Sequence, residues 1–320
     1  MAKNPYVCVS VCLSVRLYVT ATFLRNYIYI YIYIIGISES QMKLHKMLLW
    51  LLLLWKIPFY VCIYESRIIL DNYRKPNNLV YHKYTDTLFF SHTMKSGDDF
   101  EIIAYDMQKN ATAVLEVPGG YAIAYDKGND DIYFGGHDGI YKYNYMLEQA
   151  EFFGEDKKSI WGMCIGTNFY YIQYPKQQLY VYRDDKFVPV AEAIGIEIDN
   201  FLVSKRSDIY YSNKTATFKV DAKTRDTIIL SDEVKVRQIA DDNNGDVYFC
   251  GTGGIYTEYK PNYNFNKIVD IEDVFGLTFD DNNNIIYSDD KAIYRLVFKR
   301  NYHSILCYKF IRIPIIILNN

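Results

Sequence analysis

The 320-residue chain has little of what announces chemistry. It has no G-x-S-x-G elbow, no H-E-x-x-H pair, no phosphate loop and no dinucleotide-binding glycine fingerprint. The enzyme classes that depend on those spacings therefore find no support. Only 8 prolines and 17 glycines, in a chain that is half hydrophobic, exclude collagen-like and disordered structure. Histidine is sparse: His82 and His92 have no cysteine or carboxylate at zinc spacing, and His137 sits in the turn GGHDG. The 6 cysteines offer no framework either. Cys164 and Cys250 fall in separate repeats, too far apart for a bridge, and are expected unpaired and buried. Cys8, Cys12, Cys62 and Cys307 lie toward the ends. No window between residues 67 and 297 shows a helical apolar stripe, so helix should be scarce.

What the chain does have is tyrosine, 33 of them, nearly one residue in ten. Aromatic and β-branched side chains suit pleated surfaces, which points to an all-β protein.

The ends differ from the middle. YIYIYIYI at Tyr27–Ile34 is what an alternating thymine–adenine repeat encodes, so residues 1–41 read as a gene-model extension or a disordered segment. Arg16 and Arg25 interrupt its apolar run, which argues against a membrane span. Residues 298–320 share the bias and are assigned no fold. From Met42, a basic MKLHK, an apolar MLLWLLLLW and a more polar exit form a secretory leader over residues 42–66, with cleavage expected between Cys62 and Ser66. Its apolar run is shorter than the roughly 20 residues a span needs, so no stable membrane anchor is expected. Two sequons, at Asn110 and Asn213, agree with export and glycosylation. The chain as a whole carries a net charge of −3, but Arg67–Val297 holds 25 basic and 36 acidic residues, a net −11. A domain this acidic repels phosphate backbones, which excludes nucleic acid as a partner.

The middle is a repeat. NNLVYHKYTDTLFFSH, YAIAYDKGNDDIYFGGHDGIYKY, WGMCIGTNFYYIQYPKQQLYVY, NFLVSKRSDIYYSNKTATFKV, RQIADDNNGDVYFCGTGGIYTEY and FGLTFDDNNNIIYSDDKAIYRL each hold three short strands separated by polar turns. Their centres, Phe89, Tyr133, Tyr170, Tyr210, Tyr248 and Ile286, recur about every 40 residues. That period, built from strands, marks propeller blades. Residues 67–297 are thus expected to form one six-bladed β-propeller, with RIIL at Arg67–Leu70 closing the last blade and hiding an edge.

The residue entering the innermost strand of each blade faces the central channel or one of its mouths. That column reads Asn77, Tyr121, Trp161, Asn200, Arg237 and Phe275. Three aromatics offer stacking surfaces for a planar molecule, and Arg237 offers a partner for its carboxylate or sulfate. The same side chains could instead plug the ring. Phe201, Gln238, His92, His137 and Asp289 are secondary candidates. Six-bladed lactonase-type hydrolases hold a calcium ion in this channel, but the column has Asn77 and Asn200 without a carboxylate, too few hard ligands. No metal and no cofactor are expected.

The repeats, with motifs of the form AYDKGNDDIYF and GIYKY behind a leader, resemble the insect ommochrome-binding proteins over about residues 62–297. That resemblance implies a secreted haemolymph carrier that binds a tryptophan-derived aromatic pigment without covalent chemistry. The alternative is a calcium-dependent lactonase or esterase on the same scaffold, and a third is a protein-interaction propeller with a plugged channel.

Overall fold

The structure, a computed structural model, describes residues 64–94 and 99–298. The extension read at 1–41, most of the leader read at 42–66 and the tail beyond Phe298 lie outside the described residues. Ser66–Val297 form one compact unit.

Strand β1 (Tyr64–Asp71) opens the described chain, beginning inside the segment read as leader. The first sheet follows with β2 (Asn77–His82), β3 (Thr87–Thr93), β4 (Phe100–Asp106) and β5 (Ala111–Leu115). The second has β6 (Ala122–Asp126), β7 (Asp131–Gly135), β8 (Ile140–Asn144) and β9 (Gln149–Gly154). The third has β10 (Ser159–Ile165), β11 (Phe169–Tyr174), β12 (Gln178–Arg183) and β13 (Lys186–Pro189). The fourth has β14 (Asn200–Val203), β15 (Ile209–Ser212), β16 (Thr217–Val220) and β17 (Thr227–Ser231). The fifth has β18 (Val236–Asp241), β19 (Val247–Gly251), β20 (Gly254–Tyr259) and β21 (Asn264–Val269). The sixth has β22 (Gly276–Phe279), β23 (Ile285–Ser288) and β24 (Ala292–Phe298), with β1 as its outer strand beside β24.

The inner strands form a ring: β2 packs on β6, β6 on β10, β10 on β14, β14 on β18, β18 on β22, and β22 back on β2. The protein is an all-β, six-bladed propeller, and among the described residues its one helical element is a 3-10 turn at Ala191–Ala193. The six repeat centres all fall on second strands, and Phe89, Tyr133, Tyr170, Tyr210 and Ile286 are buried there while Tyr248 is half-buried.

The core lies between neighbouring sheets. Phe89, Ile102 and Ala104 of the first blade pack with Ile123, Ile132 and Phe134 of the second. Cys164 and Ile172 of the third pack with Phe201 and Tyr211 of the fourth. Each large apolar side chain so buried contributes about 1.5–3 kcal/mol. Five of the outer strands, β5, β9, β13, β17 and β21, are absent from the three-strand repeat read in the sequence. Most of their residues are exposed or half-buried, so no apolar alternation marks them.

Tyrosine has a second use here. In three hairpins a tyrosine hydroxyl donates to a residue five positions on: Tyr81 to Asp86 (2.8 Å), Tyr105 to Asn110 (2.7 Å) and Tyr125 to Asp130 (2.7 Å). Asp86, Asn110 and Asp130 have φ of 49°, 51° and 62°. The left-handed turn residue is therefore an Asp or Asn, which tolerates that conformation, and the tyrosine fixes its side chain.

Candidate ligand-binding channel

The inner strands enclose a channel of about 760 Å³. Its wall mixes apolar and polar groups, with Leu79, Ala122, Ala124, Met163, Phe201 and Ile239 among the apolar lining residues. An inner strand has one edge with no sheet neighbour, so its backbone groups need partners from side chains. Gln238 supplies three: its Oε1 accepts from Leu79 N (3.1 Å) and Leu277 N (3.0 Å), and its Nε2 donates to Leu79 O (3.1 Å). Asn200 Nδ2 donates to Val236 O (3.3 Å), Asn78 Nδ2 to Tyr121 O (2.8 Å), and Tyr81 N to Thr278 Oγ1 (3.3 Å). Asn78, Asn200 and Gln238 thus form an amide collar where the inner strands begin.

Three inner strands are bulged at this level. The registers of β2, β10 and β18 shift between Asn77 and Val80, Ile160 and Gly162, and Val236 and Gln238. A bulge adds an unpaired residue and re-aims its neighbours. Trp161 and Arg237 are the extra residues in their strands.

Of the six residues in the sequence column, Trp161 and Asn200 line the channel and the other four stand outside its lining. In the first blade the lining residue is Asn78, while Asn77 turns its Nδ2 to Lys75 O. In the fifth it is Gln238 rather than Arg237. Asn77 and Arg237 are displaced by the extra residue in their bulged strands, whereas Tyr121 and Phe275 stand one residue ahead of β6 and β22, whose registers are regular.

The displaced residues gather at the rim. The Tyr121 ring stacks on Trp161 at 4.3 Å between centroids and 20° between planes. Phe100 meets Tyr121 edge-on at 4.6 Å, and Tyr174, half exposed, leans on Trp161 at 5.7 Å. Burial pushes the Tyr121 hydroxyl up to about 12. The Arg237 guanidinium lies 4.0 Å over the Phe275 ring. Its Nη1 is also ion-paired with Asp273 Oδ1 at 3.0 Å. The sequence reading of Arg237 as a ready anion partner meets a competitor in Asp273. Phe100 and Tyr174 were not read as site residues, because they come from strands outside the inner column.

The secondary candidates divide. Phe201 and Gln238 line the channel. His92 faces Glu101 at 3.3 Å, and His137 is exposed. Asp289 accepts from Lys291 N, Ala292 N and Tyr294 OH. His82 is buried with Nε2 2.9 Å from Asp130 Oδ1, a partner from the next blade. Among the described residues, no three His, Cys, Asp or Glu side chains gather in a way that could hold a metal ion. Cys164 and Cys250 are free and buried, and burial pushes both thiols up to about 12. No helix among the described residues is long and apolar enough to cross a membrane.

At its other end the channel is lined by charge: Lys83, Lys127, Lys205, Asp126, Asp241 and Asp281. Lys127 Nζ lies 3.0 Å from Asp241 Oδ1. Lys127 directly follows β6 and Asp241 ends β18, strands three places apart in a ring of six, so the ion pair crosses the channel mouth.

No family model matches the chain. A gluconolactonase from Xanthomonas campestris superposes with a TM-score of 0.59 at 11% identity, over 74% of this chain and 90% of that one. A luciferin-regenerating enzyme gives 0.58 at 13%, over 73% and 95%. At such identities the likeness is one of fold. In sequence, the ommochrome-binding protein of Manduca sexta is 27% identical over 243 residues, covering 73% of this chain and 88% of that protein. The chain is thus similar in sequence to that ommochrome-binding protein and is built as a six-bladed β-propeller.

Proposed function

We propose that this protein is a secreted carrier that holds a small planar aromatic pigment of the ommochrome class in its channel and does no covalent chemistry on it. The observation that carries the reading is the channel, with apolar side chains in its wall, an amide collar and a stacked aromatic pair at one rim. Pockets of this kind, apolar walls with a few placed polar groups, take flat organic ligands. The homologue's name points the same way.

In this reading Trp161 presents its ring to the ligand, backed by Tyr121, and Asn200 orients a ligand carbonyl or amine. Asn77, Arg237 and Phe275 act at the rim, where the Arg237 guanidinium, shared with Asp273, attracts an anionic substituent. The leader sends the chain to the haemolymph, and glycans sit on Asn110, an exposed hairpin residue, and on Asn213.

The test is a titration of the purified protein with a phenoxazinone pigment. Trp161 is the one tryptophan among the described residues. Quenching in the wild type that disappears in Trp161→Phe, with pigment affinity weakened several-fold in Trp161→Ala, is the expected result. Absence of binding, or an EDTA-sensitive esterase activity, would overturn it.

A further inference from the structure

Six outer strands end the sheets at solvent: β5, β9, β13, β17, β21 and, in the sixth blade, β1. Each is an edge whose unpaired backbone groups can pair with another chain, and folded proteins blunt such edges with charges, prolines or bulges. Five of these six are blunted in that way. β9, β17 and β21 each carry one extra residue against the partner strand, at Phe153, Leu230 and Ile268. β13 is four residues long and ends in Pro189, and β1 carries Glu65, Arg67 and Asp71.

β5 has none of these devices. Its sequence is ATAVL, without a charge or a proline. It pairs with β4 in unbroken register, from Ile102↔Leu115 to Asp106↔Ala111. Ala111 to Val114 are all exposed, Val114 to 60%. This strand also begins inside a sequon, because Asn110 immediately precedes it and Thr112 is its second residue. Asn110 is exposed, stands in the left-handed region at φ 51°, and its Oδ1 accepts from the Tyr105 hydroxyl at 2.7 Å. That bond holds the amide by its oxygen, and the nitrogen at the other end of the group is the one a sugar would occupy.

We propose that a glycan on Asn110 guards this edge, and that β5 without it pairs with β5 of a second copy of the chain. The inference rests on the reading of Asn110 as glycosylated and is independent of pigment binding. The occupant is a second copy because the strand can oppose itself without charge repulsion. A two-fold axis at Ala113 sets Ala111 against Leu115 and Thr112 against Val114, all uncharged. In β9 and β21 the same operation would repeat Glu151 or Lys267 across the axis. Asn110 would then stand opposite Glu116 of the copy, so a sugar there fills the space the neighbouring strand needs.

The full chain is secreted from a glycosylating cell, its glycans are mapped by mass spectrometry, and its mass in solution is followed by sedimentation up to about 100 μM, where weak pairing is populated. Wild type is expected to carry a sugar on Asn110 and to stay monomeric. Thr112→Ala removes the sequon with Asn110 in place, and its mass should climb toward twice that of the monomer as concentration rises. Thr112→Ser keeps the sequon and should behave as wild type. Adding Ala113→Lys to Thr112→Ala sets two lysines face to face and should return the chain to a monomer. If Thr112→Ala does not fold, enzymatic removal of the sugar from folded wild type tests the native strand directly. A glycosylated wild type whose sugar-free form stays monomeric overturns the guard role and leaves glycosylation standing, as does a dimer that Ala113→Lys leaves intact. Absence of sugar from Asn110 overturns both.

Discussion

Lys219 Nζ sits 3.1 Å from Glu258 Oε1, and the two side chains are only 10% and 8% exposed. The pair joins the fourth blade to the fifth. Asp208 adds a second carboxylate at 3.6 Å, and the Tyr210 hydroxyl donates to Glu258 at 2.9 Å. Removing one member of such a buried pair leaves an uncompensated charge and costs about 3–5 kcal/mol. Lys219→Ala should therefore lower the Tm by roughly 6–20 °C in a domain of this size. The double variant Lys219→Met with Glu258→Gln should fall less, because Asp208 alone remains charged. Thermal melts of the two variants beside wild type check this.

The tyrosines make stability fall in strong alkali. Burial raises the Tyr121 hydroxyl to about 12, and burial with the Asp138 hydrogen bond raises Tyr141 to about 12. Burial, followed by neighbouring carboxylates, raises Tyr125, Tyr171 and Tyr210 as well. A hydroxyl whose folded pKa exceeds its unfolded value near 10 binds its proton more tightly in the folded state. Its contribution is complete below pH 10 and is lost as pH rises through the folded value. Denaturant midpoints should hold between pH 8 and 10 and drop above it. Tyrosinate absorbance should rise together with loss of the folded signal.

Strand β1 seals the sixth blade. Ile69 and Leu70 pack against a cluster that includes Leu88, Phe90, Ile286 and Ile293, and Ser66 Oγ meets Tyr287 OH. Deleting residues 67–72 removes that cover and exposes the edge of β24. A loss of about 3 kcal/mol, or roughly 6–12 °C in Tm, is expected. An unchanged melt would show that the ring does not depend on this strand.

The two cysteines should be inert in the folded protein. Only the thiolate attacks a disulfide reagent, and burial holds the Cys164 and Cys250 thiols at about 12. Cys164 is further engaged with the backbone of Val203. Labelling of both by a thiol reagent at pH 8 should be slow in buffer and complete in denaturant.

The repeats alone determined the blade count and the second-strand centres, because a buried strand needs an apolar residue at alternate positions and leaves a period of about 40. Phe89 and Ile286 are apolar for that local reason. The outer strands were invisible, since residues such as Phe152 and Phe153 stay exposed and carry no burial pattern. The site was half legible. Trp161 and Asn200 follow from the column, but Asn78 and Gln238 replace Asn77 and Arg237 because of bulges, and a bulge is decided by how two strands meet. Only the closed ring brings Lys127 to Asp241, 114 residues away. Local periodicity can specify a strand; which charges face each other across the channel depends on how many blades close the circle.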